Sequence, residues 1–408
     1  MGRVKGGDLV TLAQLKNPIQ TYAWGSRRVL AELQGRAAPS DTPEAELWMG
    51  AHSSAPSRLQ LQQGERTLCA VIAEDPGATL GQASLEEFGP RLPFLLKVLA
   101  AAEPLSLQAH PSPEQARAGF ADEDARGIPR DAPTRNYRDE SHKPELLCAL
   151  TPFDALCGFR DLEQTRALLS ALRVPELDAH AQALTDSAGL RAVFDALYRL
   201  PQREAAELTN RVAAACAQHC DDATFGDAYS WASKLHDKYS GDIGVVTSLL
   251  LNVVHLSPGE AIYLPAGNLH AYLEGAGIEI MASSDNVLRG GLTVKHVDVS
   301  ELMRVLDFRS MQVQLAPTAQ PGAGRTRYLT DAREFCLEKI ELSGDLEIPD
   351  AARGPEILLC FSGHADVQAG GRELRLEQGA SCFLPAGAGP VALRGNAVLY
   401  RALVGALA

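Results

Sequence analysis

Two stretches of the chain are versions of one pattern: GEAIYLPAGNLHAYL, starting at Gly259, and GASCFLPAGAGPVAL, starting at Gly379. Each runs from a glycine through three residues and an aromatic ring to Leu-Pro-Ala-Gly. Short apolar runs bounded by glycine and proline read as strands closed by tight turns. A unit repeated within one chain calls for two similar structures rather than one large one. After the turn the copies diverge: the first presents His270, and the second has Pro390 at the matching place. The expectation is two related β units, of which only one keeps its polar residue.

The surrounding texture divides the chain further. From about residue 10 to 155, short alternating segments such as AELWMGAHSSAPSRLQL and RLPFLLKVLAAAEPLSLQAH predict mainly strands. From about 160 to 242 there is no Ile and only three Val, while Ala and Leu dominate, which predicts helices. One helix begins at an N-cap, Ser187, and carries Leu190, Val193, Phe194 and Leu197 before Pro201 ends it. An earlier helix starts near Asp161 and stops before Pro175, and another follows Pro201 with Leu208 and Val212. Nothing in them reads as catalytic. After Gly241 the β texture returns and persists.

At 408 residues the chain exceeds one ordinary core and predicts two or three domains. A net charge of −13 argues against nucleic acid or an anionic membrane surface as partner. A small anionic substrate is compatible with it only where cations are collected locally. No apolar run reaches the ~18–20 residues of a membrane span. The opening MGRVKGGDLVTLAQLKNP lacks the continuous apolar region of a secretory signal, so a cytoplasmic protein is expected. The eight cysteines form no CxxC pair and read as reduced thiols. Cys216 and Cys220 with His219 are ligand types, but their Ala-rich helical setting reads as helix surface or core.

Chemistry concentrates elsewhere. Gly259, Pro265, Gly267 and His270 fit a spacing that resembles the second metal-binding motif of the cupin superfamily, small β-barrels with a metal in the mouth. The Asn usual four residues beyond that His is Glu274 here. In LSLQAHPSP, Leu105 to Pro113, strand alternation puts Ser106, Gln108 and His110 on one face. Gln108 and His110 can then meet the ion that His270 approaches, and Glu145, in ESHKPELLCAL, supplies charge compensation. Two imidazoles with a carboxylate suit zinc, and an open position suits catalysis.

Several segments together resemble one family, the type I mannose-6-phosphate isomerases, also called phosphomannose isomerases. They are NPIQTYAWGS, ELWMGAHSSAPS, LPFLLKVLAAAEPLSLQAHP, HKPELLCALTPFDALCGFR and YLPAGNLHAYLEGAGIEIMASSDNVLRGGLTVKHVDV, in family order from about residue 17 to 310. The resemblance implies a mainly β fold of two cupin-like, jelly-roll barrels with an α-helical insertion. Residues 1–155 and 243–311 would form the catalytic barrel, 156–242 the helical insertion, and 312–408 a C-terminal cupin-like barrel without metal, where His364 is read as structural.

The same resemblance implies one Zn2+ per chain, held by Gln108, His110, Glu145 and His270, and an essential Arg289. It also implies interconversion of mannose 6-phosphate and fructose 6-phosphate. That reaction needs a proton carrier, for which Glu279, Asp285 and Lys143 are open, with Glu279 favoured. Arg289 can stabilise an enediolate or hold phosphate. Lys97, Lys143, Lys295, Arg289 and Ser106 are expected to cradle phosphate, with Trp24, Glu46, His52 and Tyr272 as rim residues. A monomer is expected, with an oligomer left open. The rivals are an iron oxygenase, which the fourth ligand Gln108 counts against, and a sugar-binding or regulatory protein without turnover, which Arg289 counts against.

Overall fold

Two antiparallel ten-stranded sheets make up the computed structural model, which describes residues 12–61, 64–349 and 354–405, and Glu46–Gly50, Phe94–Ala101 and Glu145–Ala149 in one of them are buried at every position. The N-terminal reading against a leader falls mostly on residues 1–11, outside those described. One sheet, called here the site sheet, joins Leu251–Leu256, Phe153–Phe159, His270–Ala282, Phe94–Ala101, Glu46–Gly50 and Ile19–Gln20. Glu145–Ala149 pairs with both His270–Ala282 and Ala261–Leu264, and two short strands, Gln108–Ala109 and Leu288–Arg289, complete the sheet. The second sheet holds Arg325–Tyr328, Cys336–Ile348, Glu356–Ala369, Arg372–Glu377, Ser381–Leu384 and Val391–Leu403.

Strands from the start of the chain also enter that second sheet. Ala13–Lys16 pairs with Ser381–Leu384, Leu15 opposite Ser381, and then with Arg58–Leu61. Segment 1–155 is therefore shared between the sheets. Ala13 and Leu15 are buried on alternate positions, and their strand covers an edge that would otherwise be open.

The same segment is also less purely β than its texture implies, since Leu68–Glu74, Pro76–Leu80, Gln82–Phe88 and Pro113–Ala125 are helices. The missed signals were local caps. Thr67 and Asp75 accept from the backbone N–H groups of Ala70 and Ala78, and Ser112 forms a capping box with Gln115 ahead of Pro113.

Between 162 and 238 the chain forms Leu162–Ala171, Pro175–Ala183, Ser187–Tyr198, Gln202–Ala217 and Gly226–Lys238. Asp186, not Ser187, is the N-cap of its helix, accepting from Gly189 N at 2.7 Å. Leu168, Leu190, Phe194, Leu197, Leu208 and Val212 pack with Leu107, Ala109, Leu269, Ala271 and Leu288. Because neighbours along a strand point to opposite faces, this contact turns Gln108, His270 and Arg289 away from the helices. The helical segment is thus the backing on which these three residues are aimed.

Both copies of the repeat fold alike, as a short strand, a turn and a long strand: Ala261–Leu264 to His270–Ala282, and Ser381–Leu384 to Val391–Leu403. In the first, Glu145 stands opposite Leu264; in the second, Glu356 stands opposite Leu384 at the matching register. The carboxylates meet different cations. Glu356 accepts two bonds from Arg401, at 2.8 and 2.6 Å, and Arg401 also faces Glu338, which binds Arg325. A guanidinium thus neutralises the carboxylate of the second copy.

Glu338 is fully buried, so Glu338→Ala should cost ~3–5 kcal/mol, the usual penalty of breaking a buried ion pair. Burial pushes the Glu338 carboxyl up, but Arg325, Arg401 and Arg327 outweigh it and hold it low. Its contribution should be complete above the ordinary carboxylate pKa of ~4.3 and lost as pH falls through the depressed folded value. Melting curves should show the gap between the parent chain and Glu338→Gln narrowing below about pH 4; a constant gap would remove Glu338 from acid stability.

Candidate metal centre

His110, Glu145 and His270 arrive from three separate segments and are each 1% exposed. Their ligand atoms lie within 4.8 Å of one another, and no other group of this kind exists among the described residues. His110 Nε2 is 3.3 Å from Glu145 Oε1, and His270 Nε2 is 3.3 Å from Glu145 Oε2. Cys216, His219 and Cys220 form no such group; His219 instead bonds the carbonyl of Ala215.

The protonation of the rings follows from their other nitrogens. His110 Nδ1 is 2.7 Å from the carbonyl of Asn286, and His270 Nδ1 is 3.1 Å from that of Asn268. A carbonyl only accepts, so each Nδ1 carries the hydrogen and each Nε2 of a neutral ring presents a lone pair. Burial above all pushes His110 down to about 4, which keeps it neutral. Nε2 of both rings and Glu145 Oε2 have no hydrogen-bond partner, so with neutral rings two lone pairs face a carboxylate. That arrangement is repulsive unless a cation stands among them, and donor types, burial and outer carbonyls all fit a divalent ion.

Register places the neighbours. Gln108 is opposite His270 on one side and Arg289 on the other, so the three form a row on one face. The strand at this point is only Gln108–Ala109, so His110 reaches the centre from beyond its end and Ser106 lies ahead of it. The alternation expected for Ser106, Gln108 and His110 therefore does not run through all three. His110 is held instead by Asn286 and by Gly267, whose N–H donates to the His110 carbonyl at 2.8 Å from a backbone at φ 77° that favours glycine.

Beside the centre lies a chain of buried charges. Lys143 Nζ is 2.9 Å from Glu145 Oε1. Lys97 Nζ is 2.7 Å from Glu279 and 3.4 Å from Glu46, whose second oxygen accepts from Trp48 Nε1. Lys97, expected to meet phosphate, is instead buried with its charge already balanced. Burial lowers its pKa, but Glu279, Glu46 and Glu145 outweigh that and raise it. Burial raises the pKa of Glu279 despite Lys97. Glu145 is pulled well below the usual range by Lys143 and His110, against its burial.

Asp285 is held low chiefly by His52, whose Nε2 is 3.2 Å from its Oδ1. Tyr272 is buried, and burial followed by the charges of Glu279 and Glu145 raises its phenol. Trp24 packs in the same apolar cluster and stacks on Tyr22.

Three cations gather nearby. Burial and then Arg138 lower the pKa of Arg289; burial, Arg289 and Arg138 lower that of Lys295. Arg138 was not legible as a site residue in NYRDE, one arginine among many. Asn286 was also missed: fully buried, its side chain accepts from the N–H groups of Arg138 and Asp139 and donates to the carbonyls of Asp139 and Ser141.

Fold and site together define an antiparallel β protein of the cupin class with one buried His–Glu–His centre. Residues 12–162 match the family described as phosphomannose isomerase type I, catalytic domain, and residues 325–404 match the mannose-6-phosphate isomerase cupin domain. The mannose-6-phosphate isomerase of Escherichia coli K12 is 39% identical over 96% of this chain and 99% of its own. That of Salmonella typhimurium LT2 is 38% identical over 96% of this chain and 99% of its own. A crystal structure of mannose 6-phosphate isomerase, described as holo and zinc bound, superposes with a TM-score of 0.89 at 36% identity, covering 97% of this chain and all of that one. The chain belongs to the type I phosphomannose isomerase family.

Proposed function

We propose that the protein is a zinc-dependent aldose–ketose isomerase interconverting D-mannose 6-phosphate and D-fructose 6-phosphate. The observation that carries this is the buried His110–Glu145–His270 group, with orphaned ligand atoms, in a chain matched along 96% of its length by a mannose-6-phosphate isomerase. The layout proposed is a catalytic cupin barrel from 1–155 and 243–311, without the strands Ala13–Lys16, Arg58–Leu61 and Gly64–Thr67 that join the second sheet, a helical insertion at 156–242, and a metal-free barrel at 312–408 completed by those strands.

Gln108, His110, Glu145 and His270 would hold the zinc, which when bound supplies Lewis-acid polarisation of the sugar oxygens. The other steps fall to the chain. A proton leaves C2 of the open-chain aldose to Glu279, an enediolate forms, and the proton returns to C1 while the hydroxyl hydrogen passes from O2 to O1. A carboxylate whose pKa burial has raised suits that exchange better than Asp285, which His52 holds low. Arg289, in the row with Gln108, stabilises the enediolate. Arg138 and Lys295 hold phosphate, their mutual repulsion relieved by the dianion. Lys97 keeps Glu279 in place rather than meeting phosphate. Lys143 steers Glu145, and Ser106, His52, Tyr272 and Trp24 shape the rim.

The partner is a small sugar phosphate, bound as substrate by a cytoplasmic protein whose expected state is a monomer, with an oligomer left open. No helix among the described residues is long and apolar enough to cross a membrane. The test is conversion of mannose 6-phosphate to fructose 6-phosphate before chelation, after it, and after zinc is restored. Turnover should vanish with the chelator and return with zinc. Fully metallated protein without turnover would sink the reading.

A further inference from the structure

The strand that carries Glu145 is gripped from the other sheet on both sides of that residue. Three residues before it, His142 Nε2 is 2.6 Å from Glu334 Oε1; three residues after it, the Cys148 thiol is 3.1 Å from the Tyr328 hydroxyl. Tyr328 also donates to the carbonyl of Gly259 at 2.8 Å, just ahead of the strand paired with Glu145–Ala149. Both grips come from one short piece of chain, 328–334, whose neighbouring Arg333 is tied to Glu87 at 2.8 Å.

We propose that Glu334, from the metal-free half, is a positioning residue of the active site that fixes Lys143 and Glu145 through His142. The path is short and stiff. Pro144 restricts its own φ and the conformation of Lys143 before it, so a fixed His142 leaves Lys143 little freedom. The carbonyl of Pro144 accepts from Ala282 N at 3.1 Å, and that of Ser141 accepts from Asn286 Nδ2 at 2.8 Å. The backbone is thus held on both sides of Lys143, and Glu334 holds the His142 side chain just before it. Glu334 keeps one oxygen buried without a partner, a desolvation cost that an exposed tether would not carry. Its carboxyl is nevertheless held below the ordinary range: burial raises it, and His142 outweighs that.

This inference rests on the isomerase reading, so the experiment has two readouts: kcat and KM with mannose 6-phosphate, and the affinity of the full chain for zinc alone by chelator competition. Loss of an outer partner of a metal site commonly costs ~10–100-fold in affinity or activity. Glu334→Ala should lower kcat ~10-fold with KM within ~2-fold, and weaken zinc ~10-fold, at the lower end of that scale. Glu334→Gln, whose amide oxygen still accepts from His142, should stay within ~2-fold of the parent. Arg333→Ala, which breaks the neighbouring tie, should leave kcat and zinc affinity unchanged.

Parent-like kcat and zinc affinity in Glu334→Ala would overturn the assignment. So would equal losses in Arg333→Ala and Glu334→Ala tracking a common fall in melting temperature, because loop stability would then explain both. If the parent chain turns over no mannose 6-phosphate, the functional reading fails, and zinc affinity alone decides the role of Glu334.

Discussion

His270→Ala protein should emerge without zinc and without measurable isomerisation. The ring supplies one of three mutually close donors, and an alanine there offers no ligand atom in its place. Loss of turnover should exceed the ~10–100-fold that accompanies loss of a mere outer partner. Stability gives an independent readout. The two imidazoles and the carboxylate favour a cation and not one another, so metal-free variant and metal-free parent should melt within a few degrees. The rise in melting temperature that zinc gives the parent should be absent from the variant, since binding to the folded state alone produces it. Full zinc occupancy in His270→Ala would break the ligand assignment.

Arg289→Ala should show the opposite combination: zinc retained and turnover lost. The side chain stands in register with Gln108, on the strand beyond it from His270, and is not one of the three donors; its charge is felt by Arg138 and Lys295. Removing one donor aimed at developing negative charge typically costs ~10²–10³-fold in kcat. Arg289→Lys should recover only part of it, since an ammonium lacks the planar fork. The measurement is kcat and KM beside zinc content and melting temperature. An unchanged kcat in zinc-replete Arg289→Ala would remove the guanidinium from the chemistry. A large rise in KM with kcat preserved would move it from the enediolate to the phosphate.

Much of this was legible because it is written locally. The Leu-Pro-Ala-Gly turn ahead of His270 carries its own backbone chemistry, and Gly267 needs its positive φ wherever the strand goes. Asp161 and Pro201 mark helix starts by side-chain and ring geometry alone. His110, Glu145 and His270, read from three separate texts, do come together. The helices between 68 and 125 were missed although their caps were equally local, because apolar alternation outweighed the capping residues in the reading.

What stayed hidden concerns partners far apart in the chain. Lys97 reads as a free cation until the sheet sets it opposite Glu279, which cancels its charge. Glu356 reads as an ordinary acid until pairing brings it to the register of Glu145 and Arg401 closes on it. Arg138 and Glu334 stand in no quoted motif, Asn286 stands in one without a chemistry of its own, and each meets its key partner more than a hundred residues away in sequence.

By itself, then, the sequence determined the repeat, the helical segment and the residue types able to bind a metal, since these depend on turn geometry, periodicity and donor chemistry within a few residues. Tertiary structure alone decided which charges are neutralised, which half supplies the grip on Glu145, and where the first strands belong. A buried group is governed by the field and hydrogen bonds of whatever is packed against it, and those neighbours are chosen by the folding of the whole chain.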